Sequence, residues 1–122
     1  MKQVTGVRIL EEIEGIGAEI KKGDVVKVKL NGWLNKGDQI QKDYVNTITL
    51  GSRNLIPGIE YAIKGMKNNG MRKVQISPNL GYWDKGVKDV IPPNALLIYQ
   101  IEVLDVESIT QLKAASERRR YT

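Results

Sequence analysis

Residues 55–66 read Leu55-Ile56-Pro57-Gly58-Ile59-Glu60-Tyr61-Ala62-Ile63-Lys64-Gly65-Met66. Ile59, Ile63 and Met66 fall at i, i+4 and i+7 with Ala62 beside them, so residues 57–66 present one apolar helical face. Pro57 suits the first turn of that helix, where its missing N–H costs nothing. Asn68-Asn69-Gly70 supplies the end. The rest of residues 1–106 reads as strands, turns and loop, with this short helix packed across the sheet.

Those strands lie on both sides of it. Upstream, Val26, Val28 and Leu30 alternate with Lys27, Lys29 and Asn31, which gives a strand with one side in the core. By the same parity Trp33 faces away from Val26, Val28 and Leu30, toward a secondary cluster. Asn35-Lys36-Gly37-Asp38 has hairpin-turn chemistry. Ile40 then opens a return strand, and Ile48 and Leu50 belong to a further one. Nearer the start, residues 6–14 read as an edge strand with Val7 and Ile9. Gly15 and Gly17 punctuate it, and Lys21-Lys22-Gly23-Asp24 makes a turn. Downstream of the helix, Arg72, Val74 and Ile76 alternate with Lys73 and Gln75. Residues 77–94, with Pro78, Pro92, Pro93, Gly81 and Gly86, form loop, and 96–106 a long strand with Leu97, Tyr99, Ile101 and Val103 on one face. The expected architecture is α+β, an antiparallel β-sheet wrapped around one short α-helix. It occupies residues 1–106. Residues 107–122 form a basic tail in which Ser108 and Gln111 resemble a capping box, so 109–117 form a short helix or fray.

Composition removes whole classes of chemistry. The 122 residues contain neither Cys nor His, which excludes disulfides, thiol and Ser-His nucleophiles and the common zinc sites. No acidic loop of the EF-hand kind is present, and no metal or cofactor is expected. The net charge of +5 is spread along the chain, and the one tight cluster is Arg118-Arg119-Arg120, which argues against nucleic-acid binding. No run approaches the roughly 18 apolar residues that cross a bilayer. Nothing at the start resembles a signal peptide. The expectation is a cytoplasmic monomer with no membrane partner.

Ordered motifs carry the reading further. Residues 25–37 (VVKVKLNGWLNKG) are followed by Leu50-Gly51, Leu55-Ile56-Pro57-Gly58, Gly65-Met66-Lys67 and Gly70-Met71-Arg72-Lys73. Ile76-Ser77-Pro78, Tyr82 and Ile91-Pro92-Pro93-Asn94-Ala95-Leu96-Leu97 complete the series. In this order, over residues 23–106, they resemble the FKBP-type peptidyl-prolyl isomerases. The resemblance implies a sheet around a short helix, an apolar pocket between them, and binding of proline-containing segments with cis–trans isomerisation of the preceding bond. It implies no cofactor, and weak binding of macrolide ligands.

Carried over to this chain, the resemblance assigns a ligand-binding backbone N–H to Ile56, beside Leu55, and a hydroxyl donor to Tyr82. Ile91 keeps the apolar lip, and Tyr99 stands where Phe is usual. Other positions depart from the family: Ile59 replaces the floor Trp, Ile40 a wall Phe and Leu30 the Tyr behind it. Gln41 replaces an Asp, and a further wall position falls on Asn46 or on Tyr44. The catalytic set on this reading is Tyr82, Ile56, Gln41 and Ile59, with Leu30, Ile40, Tyr44, Asn46, Leu55, Trp83, Ile91 and Tyr99 binding substrate.

Each assignment has a structural counterpart. Leu30, Ile40 and Ile59 fit core packing as well as ligand contact, and Tyr82 fits a loop anchor. Gln41 is either a neutral hydrogen-bonding replacement or an exposed strand residue. Trp83 lies exposed beside the pocket or packs under its loop. The expected function is a weak isomerase assisting protein folding; the alternatives are a non-catalytic interaction module and a holdase-like folding factor.

Overall fold

The computed structural model describes residues 6–110 and 112. In chain order the elements are β1 (Val7–Ile13), β2 (Val25–Leu34), β3 (Gln39–Thr49), α1 (Pro57–Ile63), β4 (Met71–Ile76) and β5 (Leu97–Glu107). A single 3₁₀ turn, Pro78–Leu80, precedes β5. All pairings are antiparallel, and the sheet order is β1-β4-β5-β2-β3. The expected α+β architecture is the one observed.

The strand alternation becomes a core because the sheet curls over α1. Val26, Val28 and Leu30 of β2, Val74 and Ile76 of β4, and Leu97, Tyr99, Ile101 and Val103 of β5 are buried together with Ile59, Ala62 and Ile63 of the helix. Each fully buried aliphatic side chain of this kind contributes about 1.5–3 kcal/mol relative to exposure. Gly58 lets the first turn of α1 approach β4, since a Cβ there would collide with Ile76. On the opposite face of β2, Trp33 is half-buried, with the Lys73 ammonium 5.8 Å from its ring centroid.

The helix is shorter than its apolar stripe. It ends at Ile63, not at Asn68-Asn69-Gly70, because Lys64 leaves helical geometry (φ −57°, ψ 126°) and Gly65 turns the chain at φ +85°. Met66 still reaches the core, 3% exposed, because the turn is held by the Met66 N–H to Ile63 carbonyl and Gly65 N–H to Ile20 carbonyl bonds. Arg72, on β4, is 4% exposed and spans the break: its Nη1 donates to the carbonyls of Ala62 (2.9 Å) and Lys64 (3.1 Å), while Nε pairs with Glu12 of β1.

The two strands expected around Ile40 and Ile48 are one. β3 runs unbroken for 11 residues, with Leu50 just beyond its end. Its alternation is interrupted because the register with β2 shifts between Leu30 and Gly32 and again between Gly32 and Trp33. Tyr44 pairs with Leu30 and Gln41 with Gly32, so three steps on β3 oppose two on β2. Asp43 sits at the extra position with φ 46°, its N–H bonded to Asn31 Oδ1 at 2.8 Å.

At the far end, Asp24 is 2% exposed and accepts from the N–H of Lys21 and of Ile109, both at 2.9 Å. Residues 109, 110 and 112 are helical. Gln111, the rest of the segment 113–117 and Arg118-Arg119-Arg120 lie outside the described residues. Among the described residues no helix is long and apolar enough to cross a membrane.

Candidate active site

A cleft of about 440 Å³ opens between β3, the N-terminus of α1 and the loop that carries Tyr82. Its floor is made by Leu30, Ile59 and Tyr99, none more than 3% exposed, so these residues belong to the core and line the cleft at once. Nine of the residues expected in the site are brought together here: those three with Ile56, Leu55 and Tyr82, and Gln41, Tyr44 and Asn46 from β3. The bulge at Asp43 is what puts Gln41 on the same side as Tyr44 and Asn46, which makes both candidates for the further wall position cleft residues.

Ile40, Ile91 and Trp83 are placed elsewhere. Ile40 and Ile91 line a neighbouring groove of about 550 Å³ with Leu34, Val87 and Pro92. Strand parity separates Ile40 from Gln41. Ile91 is fixed by reciprocal backbone bonds with Val87, each 2.8 Å. The backbone of Trp83 is anchored to Pro78 and Asn94, but its side chain is 59% exposed and lines neither hollow. Conversely, Arg53 and Asn54 line the cleft and were not anticipated. Their signal lay in Gly51-Ser52-Arg53-Asn54, a turn-forming stretch directly before Leu55-Ile56-Pro57-Gly58.

Apart from its apolar floor the cleft is lined by polar side chains, Gln41, Asn46, Arg53 and Asn54 among them. Ile56 is the N-cap of α1; its carbonyl accepts from the N–H groups of Ile59 (3.0 Å) and Glu60 (3.4 Å). Its own N–H has no acceptor among the described residues, as a helix N-terminus leaves it. The hydroxyls of Tyr82 and Tyr99 likewise have no protein partner among the described residues. Burial pushes both phenols above their ordinary range, Tyr99 the more strongly, with Tyr82 adding to the effect on Tyr99. Both are therefore neutral donors at physiological pH. The main-chain carbonyl of Gln41 accepts from Gln39 Nε2 at 3.1 Å.

A cleft with an apolar floor, a free backbone N–H and two neutral hydroxyls, and with no carboxylate, thiol or imidazole in its lining, is a site for binding and distorting a peptide. The comparisons with known proteins agree. A model of the FKBP-type peptidyl-prolyl cis-trans isomerase family matches residues 17–104. An "FK506-binding protein" of Neisseria meningitidis serogroup A is 39% identical over 106 residues, covering 83% of this chain and 97% of the relative. "FK506-binding protein 1A" of Neurospora crassa is 31% identical over 112 residues, covering 88% and 93%. Among solved structures, FkpA from Escherichia coli superposes with a TM-score of 0.71 and 32% identity over 84% of this chain; the match spans about half (48%) of the FkpA chain. This chain belongs to the FKBP-type peptidyl-prolyl cis-trans isomerase family.

Proposed function

We propose that the cleft holds a prolyl ring against Leu30, Ile59 and Tyr99 and lowers the barrier to rotation about the preceding peptide bond. That barrier, about 18–20 kcal/mol, comes from amide resonance, and the uncatalysed bond relaxes over roughly tens to hundreds of seconds. No covalent step is needed; the site has only to hold the twisted amide better than the planar one. A dry floor favours the twisted form, which has lost its charge-separated resonance structure. The Ile56 N–H and the Tyr82 hydroxyl orient the substrate by donating hydrogen bonds to its carbonyl oxygens. The observation that carries this reading is the pairing of those two unpartnered donors with an open apolar floor.

The reading extends to weak catalysis, because Ile59, Leu30 and Gln41 offer less ring contact and no carboxylate where relatives of the family are aromatic and acidic. It also extends to a monomer acting on folding chains in the cytoplasm, and to weak binding of FK506-type ligands. A proline-limited refolding assay tests it. Acceleration over the spontaneous rate at micromolar protein is expected, and an unchanged rate would sink the catalytic claim.

A second reading, a protein-interaction module, is favoured by one observation. Trp83 (59% exposed) and Val90 (52%) stand out on the loop beside the cleft, where a partner surface would cover them. The refolding assay separates the two readings.

A further inference from the structure

On the far side of Leu55 and Arg53 from the cleft lies a third hollow, about 650 Å³, lined by Leu55 and the half-exposed ring of Tyr61. Arg53 and Leu55 line both, so the two hollows adjoin. Its charged lining is one-sided: Lys22, Arg53 and Lys64 against the single carboxylate of Glu60. Lys22, Arg53 and Lys64 make no ion pair among the described residues. Glu60 Oε1 is occupied, accepting the Gly51 N–H at 2.8 Å. The Lys22 stem lies along Gly51, close enough that a Cβ there would meet its Cγ at 3.0 Å, so this ammonium is held at the groove by packing.

We propose that this groove is a subsite for acidic residues flanking the proline, so that the protein selects acidic proline-containing segments. The inference rests on the cleft being a proline site, as argued above. Three cations against one carboxylate leave the groove a net charge of +2, which lowers the free energy of a bound carboxylate-bearing strand and repels a basic one. Leu55 and Tyr61 beneath them give the intervening side chains an apolar surface. The subsite is apart from the groove at Ile40 and Ile91, where Asp38 and Asp89 offset Lys36, Lys85 and Lys88.

The test uses the full chain and labelled Leu-Pro peptides carrying three Glu, three Gln or three Lys on either the N-terminal or the C-terminal side. Fluorescence anisotropy at low salt should rank Glu over Lys by about fivefold for one side, the size that two or three screened surface contacts supply. The advantage should vanish at high salt and invert in the double variant Lys22→Glu, Lys64→Glu, with the Gln peptide bound equally by both proteins. Equal affinity for Glu and Lys peptides, or a preference untouched by the double variant, would overturn the subsite. So would a short oligonucleotide that displaces the Glu peptide as well as unlabelled Glu peptide does, since the groove would then be a general polyanion surface. If no peptide binds, Gln included, the proline reading itself fails; if Gln binds and charge is ignored, the subsite alone fails.

Discussion

The ring of Tyr99 lies against the backbone of Gly32, its direct partner across β5 and β2. A Cβ on Gly32 would stand 2.6 Å from Tyr99 Cζ and 2.9 Å from its hydroxyl oxygen. The floor of the cleft is therefore set by a missing side chain on the neighbouring strand. Gly32→Ala should push Tyr99 into the cleft, lower stability by about 1–3 kcal/mol, and slow proline-limited refolding by the variant relative to wild type. Urea unfolding and the refolding assay read the two effects; a variant with unchanged stability and rate would contradict this account of the floor.

The two phenol hydroxyls are separable. Tyr82→Phe should reduce kcat/KM about three- to tenfold with the fold intact, the value of one hydrogen bond formed to the reacting amide. Tyr99→Phe removes a hydroxyl that has no protein partner among the described residues and opens on the cleft, so the melting temperature should hardly change.

Filling the floor should raise activity. Ile59→Trp combined with Gln41→Asp adds a ring and a carboxylate to a cleft with room for both, about 440 Å³. A faster refolding assay is expected, and a slower one would mean that the aliphatic floor is already the better match to its substrate.

Without His, and with both phenols neutral, the rate should be flat between about pH 6 and pH 9. Tyr82 and Tyr99 have folded-state pKa values raised above the unfolded value near 10. Their contribution to stability is thus fully present below about pH 10 and is lost as pH climbs through the folded-state values. A pH–rate profile with a step near neutrality would require a titrating group that the cleft lacks. Melting temperature measured from pH 8 upward should decline only at the alkaline end.

Arg72→Met should cost about 1–3 kcal/mol, because it strands the carbonyls of Ala62 and Lys64 at the helix end, while the exposed Glu12 carboxylate it releases is taken up by water. Chemical denaturation measures it.

Much of this was legible in local pattern. The alternation at Val26, Val28 and Leu30 and the spacing of Ile59, Ala62 and Ile63 report burial because each element has one face against the other. The continuity of β3 was not legible. Its bulge depends on Asn31 capturing the Asp43 N–H from another strand, a contact no window of neighbours contains. The same bulge decides which of Ile40 and Gln41 reaches the cleft, so the wall positions were the least readable part of the site. The early end of α1 was hidden in another way: Met66 continues the apolar stripe but arrives by way of Gly65 at φ +85°. The free donor at Ile56 was readable through Pro57, which marks the helix start one residue later.

The sheet order places β5, the last strand among the described residues, in the middle: β1 and β4 pair on one side of it, β2 and β3 on the other. Until β5 arrives the remaining strands are two unconnected antiparallel pairs, each too small to hold a core. A nascent chain leaving the ribosome thus cannot close its cleft until residues near 107 have emerged. Folding is then a late, concerted event with long-range pairing as its slow step. A protein proposed to hurry other chains through a slow folding step must itself wait for the strand that joins the two halves of its own sheet.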